Sequence, residues 1–240
     1  MMAAHRLVPG ARSDLLFVCD HASNAVPEGV ALGVPPDLLE AHVAWDIGAA
    51  ALATELGARF DAPVWLGAWS RLVVDCNRPP ELAIPEASDG HAIPGNVGLA
   101  QADRSLRLAL HTAFHEALAG WIATAKPALL VSVHSFTPQL ATDPAPRPWP
   151  VAVLWNRDAR AAGPALDSLR AEPDLPGPVG ANEPYSGQVL NYTMDRHAEA
   201  NGIPYIGFEV RQDLLQTPTA IARWAGILAR AVEAALAVRA

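Results

Sequence analysis

Two stretches of this chain, Leu15 to Cys19 and Ala128 to Val133, are apolar runs, interrupted only by Ser132, that stop abruptly at polar clusters containing a histidine. Such short runs read as strands rather than helices, and without polar alternation they must be covered on both faces. The first opens onto Asp20-His21-Ala22-Ser23-Asn24 and the second directly onto His134-Ser135-Phe136. A third apolar run, Ile203 to Val210, carries Glu209 near its end. Further strands are expected at Pro63 to Leu66, Leu72 to Val74 and Val151 to Trp155. Helix periodicity covers Pro36 to Leu56, closing on Gly57 as a C-cap, then Ala100 to Ala125, Ala159 to Arg170, Leu190 to Asn201 and Thr219 to Val238. Strands alternating with helices predict an α/β protein, a three-layer α/β/α sandwich around a mostly parallel, mixed sheet. The ligand site of such a sheet lies outside the carboxyl ends of its strands, where His21, His134 and Glu209 fall.

Composition narrows the class of function. With 51% hydrophobic and 18% charged residues, the 240-residue chain can cover both faces of one sheet, and residues 1–240 read as a single domain. The net charge is −8, Lys126 is the one lysine, and the arginines are scattered, so no nucleic-acid partner is expected. No apolar run is long enough to span a bilayer and the first residues lack an apolar signal core, which predicts a cytoplasmic protein with no membrane partner. Nothing in the sequence fixes an oligomeric state. Cys19 and Cys76 each sit in an apolar run, as buried reduced thiols do. Neither GxGxxG nor GxxxxGK[ST] occurs, which disfavours nucleotide cofactors. The segment Asn77 to Asn96 and the segment Pro138 to Pro150 are rich in proline and lack periodicity. Loops of that length in a compact domain are usually functional.

Two histidines at strand ends suggest a metal such as zinc, which in a catalytic site takes three His or carboxylate ligands and leaves a position for water. Asp46, flanked by Trp45 and Ile47 on the first predicted helix, is the nearest carboxylate candidate for the third ligand. Glu209 inside an apolar strand is either a catalytic carboxylate facing a cleft or half of a buried ion pair with Arg211 or Arg71. Arg78 beside Asn77 offers a planar fork and an amide to grip a substrate carboxylate, and Arg71 and Arg211 also neighbour site candidates. A small anionic substrate follows. Asp75 is read as orienting one of these arginines. Tyr185, in the irregular segment Glu172 to Gly187, is a candidate substrate contact, and His91 and Asn96 are weaker ones.

The segments DHASNAVP, HVAWDIGA, SRLVVDCNRPPE, SVHSF, NEPYSG and FEVRQDLL, in this order over residues 14 to 215, resemble the N-formylglutamate amidohydrolase family. That family in turn resembles the zinc carboxypeptidases, zinc-dependent exopeptidases. VSVHSF is similar to the strand bearing their second histidine ligand, VDCNR to their Asn-Arg pair, and FEVRQDLL to the strand bearing their catalytic glutamate. The resemblance implies zinc, or a similar divalent metal, on His21 and His134, with Glu209 as the base in hydrolysis of N-formyl-L-glutamate to formate and glutamate. One position departs from the pattern: carboxypeptidases place a glutamate ligand three residues after the first histidine, and here that residue is Asn24. Asp46 is the preferred third ligand, with Glu28, Asn24 or water as alternatives. A peptidase or deacylase of other N-acyl amino acids, and a non-catalytic binding protein on the same scaffold, are the alternative readings.

Overall fold

The computed structural model describes residues 2–237. In chain order its elements are β1 (His5–Val8), β2 (Leu15–Cys19), α1 (Pro36–Leu39), α2 (Ala49–Phe60), β3 (Val64–Gly67), β4 (Ala87–Ser88), β5 (His91–Ala92), α3 (Gln101–Ala125), β6 (Leu129–Phe136), β7 (Val151–Leu154), α4 (Ala162–Arg170), β8 (Val179–Ala181), α5 (Tyr192–His197), β9 (Tyr205–Arg211) and α6 (Pro218–Ala237). Seven strands form one sheet in the order β1-β3-β2-β6-β9-β7-β8, and β4 and β5 form a separate hairpin. The central pairs β3-β2, β2-β6 and β6-β9 are parallel, whereas β1 runs antiparallel to β3 and β7 antiparallel to β9. This is the expected mixed, mostly parallel α/β sheet.

Burial on both faces explains the two apolar runs. Leu15, Phe17 and Cys19 of β2 join Val131 and Val133 of β6 in a core closed by α2, α4 and α6, with Trp224 at its centre. Leu16, Val18 and Leu130 point the other way, against Phe114, Leu118 and Ile122 of α3 and Met194 of α5. In α6, Trp224, Ile227, Leu228, Ala231, Val232 and Ala235 recur at helical spacing and are buried. No helix among the described residues is long and apolar enough to cross a membrane. Both cysteines are free and buried, as expected.

The long first helix expected over Pro36 to Leu56 is broken. A single turn ends at Leu39, and α2 begins only after Gly48, whose φ is 83°. Tertiary hydrogen bonds take the backbone groups a helix would have used. The Ala44 carbonyl accepts from Ser70 Oγ and Arg71 N, at 2.8 and 3.1 Å, and Asp46 N donates to the His21 carbonyl at 3.0 Å. Gly57 is not the C-cap either. The helix continues to Phe60 and ends at Asp61 in the left-handed region, and Gly57 instead lets the helix approach β3, since a Cβ there would stand 2.2 Å from Val64 Cγ2.

Leu72 to Val74 is buried but forms turns rather than a strand, and the helix expected over Leu190 to Asn201 is α5 followed by a short 3-10 turn. Two edge strands, β1 and β8, gave no periodic signal: β1 is only partly buried and β8 lies within Pro- and Gly-rich text. The expected end of the last helix, Val238, lies outside the described residues.

Gly48 tests this account of the break. A Cβ at this positive φ would also meet Leu215 Cβ at 2.5 Å. Gly48→Ala is expected to lower unfolding free energy by at least ~2 kcal/mol, from backbone strain plus overpacking. Urea denaturation measures it, and an unchanged midpoint would contradict the account.

Candidate active site

The ends of three neighbouring strands build the floor. The register pairs His134 of β6 with Glu209 of β9, so both side chains stand on the same face, and His21 follows directly after β2. The broken-helix segment then carries Asp46 onto this floor. His21, Asp46 and His134, all buried, bring one potential ligand atom each to within 4.8 Å of one another. Asp46 Oδ2 accepts from His134 Nδ1 at 2.7 Å and from Ser135 N at 3.3 Å, and Asp46 Oδ1 lies 3.4 Å from His21 Nδ1.

Asp75 stands behind the group. It accepts from His21 Nε2 at 2.7 Å and from Arg71 Nη2 at 2.8 Å, while Arg71 Nη1 lies 3.6 Å from Asp46 Oδ1. Asp75 thus orients an arginine, as read from the sequence, and a histidine as well. Burial alone would raise the Asp46 and Asp75 carboxyls. The charge of His21, with the His134 hydrogen bond, on Asp46, and of Arg71 and His21 on Asp75, outweighs it and holds both well below the usual carboxylate range. Burial also opposes charge on His134, but its bond to Asp46 and the nearby anions push it up to about 9.

This donor set fits a divalent cation. His21 Nε2 is engaged by Asp75, and its buried Nδ1, which has no hydrogen-bond partner, faces the Asp46 carboxylate, so that with the ring neutral a lone pair is turned toward that anion. A lone pair facing an anion calls for a positive centre between them, either a proton or a metal ion, and the carboxylate behind the other ring nitrogen is the usual support of a metal-ligating histidine. Of the alternative third ligands, Glu28 is not in the cluster, and neither Glu28 nor Asn24 lines the cavity described below.

Glu209 is buried and its Oε2 has no hydrogen-bond partner. Burial, then the charge of Asp46, pushes its carboxyl up to about 7 against the pull of His134, His21 and Arg71. Neither arginine of the alternative ion pair holds it: Arg71 is bound to Asp75, and Arg211 to Asp213 at 2.8 Å.

Arg71, Asn77, Arg78, Tyr185 and Glu209 line, with the metal-type cluster, a single cavity of about 250 Å³. Arg211 does not reach it; its guanidinium turns to Asp213 and the Arg147 carbonyl. His91 and Asn96 are also elsewhere, His91 exposed on β5 and Asn96 bracing the loop through the carbonyls of Leu72 and Pro85. Asn77 is tightly fixed. Its Oδ1 accepts from Thr193 N at 3.0 Å and its backbone N donates to Asp75 at 2.9 Å, which leaves Nδ2 as the group available to a ligand. The carbonyls on either side of it are held from α3: Cys76 O by His115 Nε2 and Arg78 O by His111 Nε2, both at 2.9 Å.

A model of the N-formylglutamate amidohydrolases matches residues 13–216. The chain belongs to the N-formylglutamate amidohydrolase family. The structure is similar to that of gene product Atu2144 from Agrobacterium tumefaciens, at 33% identity and TM-score 0.91 over 98% of this chain and 96% of that one. It also shares its fold with the N-formylglutamate amidohydrolase from Ralstonia eutropha JMP134, at 17% identity and TM-score 0.69 over 99% of each chain. No curated protein matches the sequence.

Several lining residues of this amidohydrolase were not singled out in the sequence: His42, Ser88, Asp89, Leu140 and Thr142 form a further wall. Ser88, Asp89, Leu140 and Thr142 do fall within the two Pro-rich segments read as functional loops, and the Asp89-Gly90 pair is in addition a two-residue hairpin-turn signal.

The histidines under Asn77 carry a pH dependence. His115 is pushed down to about 2 by burial and then by the charges of His111 and His197; His197 is pushed down to about 4 by burial and then by Arg196. His115 Nδ1 accepts from His197 Nε2 at 2.9 Å, which requires His115 neutral. In the unfolded chain both titrate near 6.5, so below that pH the unfolded state binds more protons. Their contribution is complete above about pH 6.5 and is lost progressively as pH falls below it, down to about 4 for His197 and about 2 for His115. Thermal melting at pH 7 and pH 4.5 should show a larger drop in wild type than in the double variant His115→Gln/His197→Gln. Parallel drops would exclude these histidines as a source of acid sensitivity.

Proposed function

We propose that this amidohydrolase is metal-dependent and cleaves a small N-acyl amino acid, with N-formyl-L-glutamate as substrate and formate and glutamate as products. One observation carries the reading: a single cavity brings together a three-residue metal-type donor set, an unpaired buried carboxyl and a cationic, amide-bearing loop. The choice of N-formyl-L-glutamate is supported by the family to which the chain belongs. His21, Asp46 and His134 would hold zinc or a similar divalent ion. When bound, such an ion polarises a scissile carbonyl and makes a water more acidic.

The chain's own residues account for binding and proton transfer. Arg78 and the Nδ2 of Asn77 present hydrogen-bond donors to a substrate carboxylate, and the guanidinium fork gives that grip its direction. Anchoring the carboxylate there holds the amide over the floor of the site, which replaces a chance encounter by a fixed approach. Glu209, poised near neutral pH, takes a proton from the attacking water as the new C–O bond forms. It returns that proton to the amine nitrogen as the C–N bond breaks. Arg71, fixed by Asp75, keeps positive charge beside the reacting centre.

Two measurements check this. Elemental analysis of protein purified without chelator should find about one divalent ion per chain, and His21→Ala and His134→Ala should each lose most of it, because each removes one of three ligands. Metal retained in both variants would mean the ligands are elsewhere. Glu209→Gln keeps shape and a hydrogen-bond acceptor but cannot take the proton near neutral pH. Formate release from N-formyl-L-glutamate should fall at least ~100-fold in kcat, with metal content and melting temperature retained. Near wild-type turnover would remove Glu209 as the base.

A further inference from the structure

One carboxylate ties together three parts of the cavity wall that are far apart in the chain. Asp89 lies at the tip of the β4-β5 hairpin with φ of 42°, followed by Gly90 with φ of 80°. This two-residue turn pushes the side chain out toward the Pro-rich loop 138–150. Asp89 Oδ1 accepts from Thr142 N at 3.0 Å and Thr142 Oγ1 at 2.7 Å; Oδ2 accepts from Ala141 N at 2.9 Å and His42 Nε2 at 3.1 Å. Burial opposes its charge, but these donors push its carboxyl down to about 2. The tip also packs closely on the loop, since a Cβ on Gly90 would lie 3.1 Å from Thr142 Cγ2.

The loop has few other ties at this point. Its remaining side-chain bonds are largely to its own backbone, Thr137 Oγ1 to Gln139 O and Gln139 Nε2 to Pro144 O among them, or lie at its far end, where Arg147 meets Tyr185. His42, Asp89, Leu140 and Thr142 all line the cavity. The hydrogen bonds of Asp89 therefore set where that wall stands.

The wall faces a particular part of the ligand. Among the lining residues Arg71, Arg78 and the Asn77 amide are the donors to which the proposed function assigns the substrate carboxylates. At the clasp stand the Asp89 anion with its acceptors already occupied, His42 whose Nε2 is given to it, an apolar Leu140 and a Thr142 whose hydroxyl is committed to Asp89. The clasp offers a carboxylate no free hydroxyl or cationic donor of its own, whereas a neutral group needs none. Under the proposed function, the neutral end of the substrate is its acyl group. We infer that Asp89 is a specificity-determining residue: by clasping residues 141 and 142 over the acyl end of the cavity, it restricts the enzyme to very small acyl groups. This rests on the reading of the site as an N-acyl amino acid hydrolase.

The experiment compares kcat/KM for N-formyl-, N-acetyl- and N-propionyl-L-glutamate in wild type, Asp89→Asn and Asp89→Ala, together with amide hydrogen exchange at Ala141 and Thr142. Asparagine keeps one acceptor oxygen and so half of the clasp; alanine removes it. The formyl-to-propionyl ratio should fall by at least ~10-fold in Asp89→Ala and by less in Asp89→Asn, in the range that one or two methylenes command in a closed pocket. Exchange at Ala141 and Thr142 should quicken in the same order. Faster exchange with an unchanged ratio, or unchanged exchange, overturns the role of Asp89 while leaving the amidohydrolase reading standing. A wild type that hydrolyses none of the three overturns that reading, and the acyl selectivity with it. Should Asp89→Ala fail to fold, Thr142→Val, which deletes a single bond of the clasp, must shift the ratio in the same direction.

Discussion

The buried carboxylate of Asp46 is the group on which the rest of the site depends. Taking an ion of that kind out of water costs several kcal/mol unless opposite charge and hydrogen bonds surround it. Here His134, His21, Arg71 and the Ser135 amide do so, from three separate parts of the chain. The same demand shapes the backbone. For Asp46 to reach strand ends β2 and β6, the chain between Leu39 and Gly48 must leave the helix, and its carbonyls and amides are satisfied by His21, Ser70, Arg71 and Ser135 instead. Main-chain stitching and side-chain charge therefore support one another, and losing either exposes unpaired groups in the other.

Much of this was legible in the sequence for a simple reason. His21, His134 and Glu209 follow or interrupt strands that are otherwise apolar, and a polar residue in such a place must face a site. Asp46 was marked by its apolar neighbours Trp45 and Ile47. The broken helix was not legible, because local text with helical spacing was overridden by hydrogen bonds to residues 70 and 71, which no local pattern records. Arg211 misled for a related reason: strand periodicity places it on the face of Glu209, yet β9 ends there and Asp213 captures its guanidinium. The wall formed by His42, Asp89 and Thr142 depends on contacts across 47 and 53 positions of sequence, so the sequence marked the two loops and a hairpin turn but not their pairing.

The Pro-rich segment after Asn77 looks in sequence like a free loop, but its root is among the most constrained parts of the molecule. His111 and His115, one helical turn apart on α3, hold the carbonyls that flank Asn77, and α5 supplies Thr193 to both Cys76 O and Asn77 Oδ1. The two helices on that face of the sheet therefore serve the cavity as well as the core. A binding loop fixed in this way loses little conformational freedom when a ligand arrives, which favours tight orientation over adaptability.

The locked amide of Asn77 has a chemical consequence. Because Thr193 occupies its oxygen, the side chain can present only N–H to the cavity, and Arg78 beside it presents only N–H as well. Two such neighbours read the proton count of what they hold. A carboxylate fills both with lone pairs, whereas a carboxamide of almost identical size would turn its own N–H toward one of them and leave buried donors opposed. Under the proposed function, a glutamate-like ligand and its glutamine-like twin would be told apart here by hydrogen-bond polarity, with no need for a difference in shape.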